Sequence, residues 1–176
     1  MSALRTTLRR TFIVTGSLLA LIGYWGLANL QLTLNGSESL PDTAYVQWHW
    51  PQLIWRGAVV AVPPPAVFGD KFDGMSVVKR IGGLPGDKVE NLGDRICIAG
   101  ACYVAELRDG KPFAPLMASG TIPEGMIAIF GDAPNSFDSR YGTFGLIPED
   151  QIEAIGVALH GFPHWTEVAK WLGIST

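Results

Sequence analysis

Charge is missing from a long stretch near the start of this chain: between Arg10 and Glu38 there is no Asp, Glu, Lys or Arg. Cysteine and histidine are also scarce, at two and three residues. No internal repeat or low-complexity tract is visible, and from residue 42 onward helical periodicity is absent until the final segment. Each absence excludes something. Without repeats the chain is not a solenoid, and without helical periodicity its body is not a helical bundle. A zinc centre needs about four ligands, and His49, His160 and His164 are not spaced to complete one with the two cysteines, so no metal is expected. Nothing in the sequence calls for a cofactor.

What fills the uncharged stretch is apolar. Phe12 to Leu30 reads FIVTGSLLALIGYWGLANL, long enough at 1.5 Å per residue to cross the hydrocarbon core of a bilayer. We expect a transmembrane helix over residues 12–32, a basic leader over 1–11 and a β-rich domain over 33–176. Arg5, Arg9 and Arg10 precede the helix with no acidic residue beside them. By the positive-inside tendency the N-terminus stays in the cytoplasm and the remainder is exported. A cleaved secretory signal is the competing reading. The run is longer than a typical signal core, and Ala28-Asn29-Leu30 makes a poor cleavage site. Both readings export the rest of the chain.

The part beyond the helix holds ten Lys and Arg against sixteen Asp and Glu, a net charge of −6. Such a surface repels phosphate backbones, so nucleic acid is not an expected partner. Cys97 and Cys102 lie in RICIAGACY, two strand-like runs flanking Ala99-Gly100-Ala101. An oxidised bridge across a tight hairpin is the natural expectation for an exported chain. Two buried thiols are the alternative.

Recurrent Gly and Pro argue for many short strands and turns. Candidate strands are Ala44 to Trp50, Ala58 to Val62, Ser76 to Gly82, Lys88 to Asn91, Arg95 to Ile98, Tyr103 to Leu107, Met126 to Phe130 and Ile152 to Leu159. The fold class is therefore mostly β, preceded by one helix. His164 to Leu172 places Trp165, Val168, Ala169 and Leu172 at helical spacing, an amphipathic helix packed on the domain or touching a membrane surface.

Three segments carry the chemistry: NGSESLPDTAY from Asn35, VVKRIGGLPGD from Val77 and GDAPNSFDSRYGTFGLIP from Gly131. In a strand from Met75 to Ile81, alternation puts Met75, Val77, Lys79 and Ile81 on one side and Ser76, Val78 and Arg80 on the other. Lys79 thus shares the apolar face. Most such lysines snorkel at a strand edge and stay charged. The functional alternative is that burial favours the neutral amine and makes it a general base. A base near neutral pH must lie about 2–3 units below its reference, a difference of roughly 3–4 kcal/mol. Its partner would be a hydroxyl in need of activation. Ser39 fits, in a Ser-x-Pro whose proline extends the preceding backbone; read alone, Ser37 and Ser39 would be a polar linker leaving the bilayer.

VVKRIGGLPGD resembles the lysine box of type I signal peptidases, a Lys-Arg pair followed by Gly-Leu-Pro-Gly-Asp. SFDSRYGTFGLIP resembles their Ser-x-Asp-Ser-Arg box and NGSESLP their nucleophile box. The three follow an N-terminal apolar helix in the family order. The Ser-x-Pro form and the SFDSRYGTFG wording look most like the conjugative-transfer branch, the TraF-type peptidases, which process a pilin subunit and in some cases join it into a ring. Thr43, where that branch often has glycine, and Ala133-Pro134, in place of the polar pair of housekeeping enzymes, depart from the pattern.

The resemblance implies a mostly β peptidase domain in the periplasm, held by a single-pass helix in a bacterial inner membrane. It implies Ser39 as nucleophile, Lys79 as general base and an oxyanion hole of the Ser37 hydroxyl with the Ser39 N–H. Ser136 would orient the lysine, and Asp138 with Arg140 would brace the site, unless Asp138 acts more directly as the conjugative branch suggests. Partners implied are the bilayer, a membrane-bound peptide or pilin precursor, and conjugation or type IV secretion components. The rival functions are a general leader peptidase, or a scaffold in which Ser39 is inert. Self-cleaving repressors share a related fold, but they are cytoplasmic and lack the helix.

Overall fold

With no proline before Pro41, nothing interrupts a helix in the apolar run. In the computed structural model, which describes residues 2–35, 37, 39–69, 74–161, 170, 171 and 173, helix α1 covers Ser2–Asn29. Its apolar part, Thr7–Asn29, has 23 residues and is long and apolar enough to cross a membrane at about 1.5 Å per residue. Basic leader and span are thus one helix. Residues 30–32, which hydropathy assigns to the span, instead open strand β1, Leu30–Leu34. The reason is the alternation Leu-Gln-Leu-Thr-Leu, a strand period.

The chain divides into two compact units, residues 1–31 and 32–176. In the second, β2 is Ala44–Trp48, β3 Val59–Val62, β4 Val77–Gly83, β5 Lys88–Asn91, β6 Arg95–Ile98, β7 Ala101–Val104, β8 Leu107–Arg108, β9 Lys111–Pro112, β10 Gly120–Thr121, β11 Met126–Phe130, β12 Ile147–Pro148 and β13 Ala154–Ala158. A seven-stranded sheet runs β1-β2-β13-β3-β4-β11-β12, and a four-stranded sheet runs β10-β5-β6-β7. The fold is mostly β with one N-terminal apolar helix.

Strand β11 shows how the layers share a core. It reads Met-Ile-Ala-Ile-Phe, apolar on both faces, as expected of a strand buried on both sides. Ile127 and Ile129 join Val60, Val62, Ile81 and Ile155 in one cluster. Ala128 and Phe130 face the other way, into a cluster with Ile96, Ile98 and Ile122.

Cys97 and Cys102 are directly opposite each other on β6 and β7 and form a disulfide. The connecting Ala99 and Gly100 both have positive φ, 49° and 84°, the backbone of a type I′ hairpin turn. The expected strand Tyr103 to Leu107 is two pieces: β7 ends at Val104, and Leu107 starts a short hairpin with β9. That hairpin turns at Asp109 and Gly110, both at positive φ, another favoured turn pair. The helix expected over His164 to Leu172 lies outside the described residues, except Lys170 and Trp171, which are helical.

Candidate active site

Strand β4 places Lys79 directly opposite Val60 of β3. Opposed residues of an antiparallel pair share a face, so the amine enters the layer that holds Val60, Ile81 and Ile129. Lys79 is 5% exposed. Burial lowers its pKa from 10.5 to about 8, with Asp138 acting to raise it and Arg140 to lower it. The shift changes how much of the amine is neutral near physiological pH. At pH 7.5 a group of pKa about 8 is neutral in roughly a quarter of molecules, against about one in a thousand for an unperturbed lysine. The Lys79 Nζ donates to Ser136 Oγ at 2.8 Å.

Ser136 belongs to a loop organised by two buried charges. Asp138 Oδ1 accepts from the Arg140 backbone N–H at 3.1 Å and from Nε at 2.8 Å. Its Oδ2 accepts from the Gly131 N–H at 2.8 Å and from Arg140 Nη2 at 2.9 Å. Arg140 gives its remaining guanidinium protons to the carbonyls of Val104, Pro134 and Gly131 at 2.6, 3.2 and 2.6 Å. All five side-chain N–H groups of Arg140 are therefore used, which makes burial of the pair tolerable. The four contacts occupy the Asp138 carboxylate, a bracing arrangement with no direct bond to Lys79.

The same loop holds the serine segment. The Ser39 carbonyl accepts from the backbone N–H groups of Asp132 and Ala133 at 2.7 and 3.3 Å. Gly131 lies between the two partners: a Cβ there would collide with Ser136 Oγ and would come within 2.7 Å of the Ser39 carbonyl oxygen. Only a residue without a side chain lets these elements meet.

Ser37, Ser39 and Lys79 line one cleft of about 380 Å³, with Phe68, Met75 and Phe137 among its apolar walls. Lys79 donates to Ser136 rather than to Ser39. Hydrogen bonds of this kind often tighten only when substrate is present. The Ser37 hydroxyl and N–H both donate to Asn35 Oδ1 at 3.0 Å. Arg80, on the opposite face of β4, lies 3.6 Å from both Asp42 and Asp132, so it faces the serine segment on one side and the Ser136 loop on the other.

A family model described as signal peptidase, peptidase S26, matches residues 4–162. The chain belongs to the signal peptidase family. It is a serine peptidase, a hydrolase. A search of curated proteins finds no match. Among solved structures the peptidase is similar to a signal peptidase I from Enterococcus faecalis, with 28% identity over 61% of this chain and 98% of that chain and a TM-score of 0.38.

Of the residues singled out from the peptidase's sequence, Lys79 and Ser136 are in contact, Asp138 and Arg140 pair behind them, and Ser37 and Ser39 line the cleft that Lys79 reaches. Cys97 and Cys102 lie elsewhere, on the second sheet. Two residues were missed. Gly131 begins the third motif but gives no sign that its missing side chain matters. Asn35 begins the first, and Asn before Gly is an ordinary turn signal.

Proposed function

We propose that this peptidase works through a Ser-Lys dyad: neutral Lys79 takes the proton of the Ser39 hydroxyl, and Ser39 Oγ attacks the scissile carbonyl. The resulting oxyanion accepts from the Ser37 hydroxyl and the Ser39 N–H; one such donor is typically worth about 3 kcal/mol. Collapse expels the amine, which takes the proton from Lys79, and leaves an ester on Ser39. Water then attacks that ester with Lys79 again as base. If a peptide N-terminus attacks instead, a new peptide bond forms, which is how ring closure follows from the same intermediate.

The single observation carrying this reading is the buried lysine whose pKa falls to about 8 in the cleft that Ser39 lines. A lysine held buried at that cost supports a functional role, since perturbed groups in clefts cluster at functional sites and an apolar residue would fill the site more stably. Helix α1 supports an anchored enzyme, and its three leading arginines support a cytoplasmic N-terminus with the domain in the periplasm of a bacterial inner membrane. Ser39 follows the helix by ten residues, which supports membrane-held precursor peptides as the substrates. The wording of the three motifs favours a conjugative pilin as that precursor.

Co-expression with pilin precursors, read by intact mass, tests the reading. Cleavage that disappears in both Ser39→Ala and Lys79→Ala, with the domain still folded, supports it; cleavage retained in both variants overturns the dyad. A product lighter by one water than the hydrolysed chain identifies cyclisation, and processing of unrelated exported proteins identifies a general leader peptidase.

A further inference from the structure

The side chain of Asn35 uses its whole hydrogen-bonding capacity inside the serine segment. Oδ1 accepts from the Ser37 N–H and from the Ser37 hydroxyl, each at 3.0 Å. Nδ2 donates to the Leu40 carbonyl at 3.0 Å and the Asp42 carbonyl at 3.2 Å. The Asn35 backbone N–H closes the arc by donating to the Thr43 carbonyl at 2.8 Å. The Tyr45 hydroxyl donates to the same Asp42 carbonyl at 2.6 Å. One primary amide thus grips the chain on both sides of Ser39. A carboxamide alone among side chains of this length offers two donors together with a two-lone-pair acceptor.

We propose that Asn35 is a positioning residue for acyl transfer: it fixes the arc that carries Ser39, and it holds the Ser37 hydroxyl until an oxyanion claims that proton. The inference rests on the assignment of Ser39 as nucleophile and Ser37 as oxyanion donor. A hydroxyl has one proton to give, and in the free enzyme it goes to Asn35 Oδ1. As negative charge develops on the substrate oxygen, the proton turns toward it, and a charge-assisted hydrogen bond replaces a neutral one. Oδ1 keeps the Ser37 N–H, so the exchange strands no acceptor, which would otherwise carry a desolvation penalty. A carboxylate at position 35 would hold the hydroxyl more tightly and would lose both bonds to the arc. An apolar residue would lose all four.

The test uses the full-length chain in detergent and an internally quenched peptide with alanines before the scissile bond. It measures kcat, KM and thermal unfolding for Ser39→Ala, Asn35→Ala, Asn35→Asp, Ser37→Ala and the Asn35→Ala/Ser37→Ala pair. Asn35→Ala is expected to lower kcat about 100-fold, the scale of a lost oxyanion donor, with KM within about threefold of wild type. Residues acting as one unit are non-additive, so in the Ser37→Ala background the same change should cost less than about tenfold. Asn35→Asp, nearly isosteric, should lose kcat to a similar degree and serves the same test if Asn35→Ala does not fold. Wild-type kcat in Asn35→Asp, or full additivity with Ser37→Ala, overturns the proposal. Cleavage retained by Ser39→Ala overturns the nucleophile assignment instead, and the two failures are told apart by that control.

Discussion

The amine of Lys79 lies 2.8 Å from the hydroxyl of Ser136, with both side chains buried and the two residues 57 positions apart in sequence. Strand β4 supplies one and the loop after β11 the other. The contact fixes the amine in a layer of aliphatic side chains, where its charge is poorly solvated, and the lowered pKa of about 8 follows from that burial.

In the proposed dyad the neutral amine is the base, so activity should rise with pH. Below about 7, kcat/KM is expected to climb close to tenfold per pH unit, to bend over near 8 and to level off above it. Initial rates on a quenched peptide between pH 6 and 10 check this. A profile flat across that range would mean that Lys79 does not set the rate.

The same shift makes a stability prediction. Between pH 8 and 10.5 the unfolded chain still carries the Lys79 proton while the folded chain has lost it. The unfolded state therefore binds more protons, and stability rises with pH through that window. At pH 7 both states are charged and the folded one bears the burial penalty, roughly 3 kcal/mol for a shift of this size. Lys79→Met should accordingly be more stable than wild type at pH 7, with the advantage shrinking toward pH 10.5. Denaturant titrations at the two pH values give the comparison.

Gly131→Ala should be inactive out of proportion to its stability. The added methyl collides with Ser136 and crowds the Ser39 carbonyl, and overpacking of this kind costs about 1–3 kcal/mol. The expected result is a folded chain with kcat reduced at least tenfold. A fully active Gly131→Ala would show that the loop tolerates movement of Ser136 away from Lys79.

Asp138→Ala leaves the guanidinium of Arg140 buried without its partner, a change that typically costs about 3–5 kcal/mol. Loss of folding or a large fall in unfolding temperature is expected, since Arg140 also ties Val104, Pro134 and Gly131 together. Circular dichroism melts would check it, and near-wild-type stability would contradict the bracing role.

The sequence is legible where its signal is local. Alternation alone puts Lys79 on the face of Val77 and Ile81, and β5, β6 and β11 have the expected boundaries because each is a short run closed off by turn residues. Two local signals were outweighed. The Leu-Gln-Leu-Thr-Leu alternation of β1 adjoins an apolar helix, so the hydropathy of one merges into the other. The Asp109-Gly110 turn separates strands of two residues each, too short to show a period. Asn35 and Gly131 were not legible for a different reason. Their importance lies in which distant atoms they touch, such as the Ser39 carbonyl beside Gly131, and spacing along a chain does not report that.

Direct titration of the Lys79 side chain is the closest test of the account. The full-length chain, labelled with carbon-13 at lysine Cε and assigned by comparison with Lys79→Arg, would be followed by NMR from pH 6 to 12 in detergent. A Lys79 midpoint near 8 is the predicted result. A midpoint at or above 10, alongside the other lysines, would mean that the amine is protonated at working pH and takes no proton from Ser39.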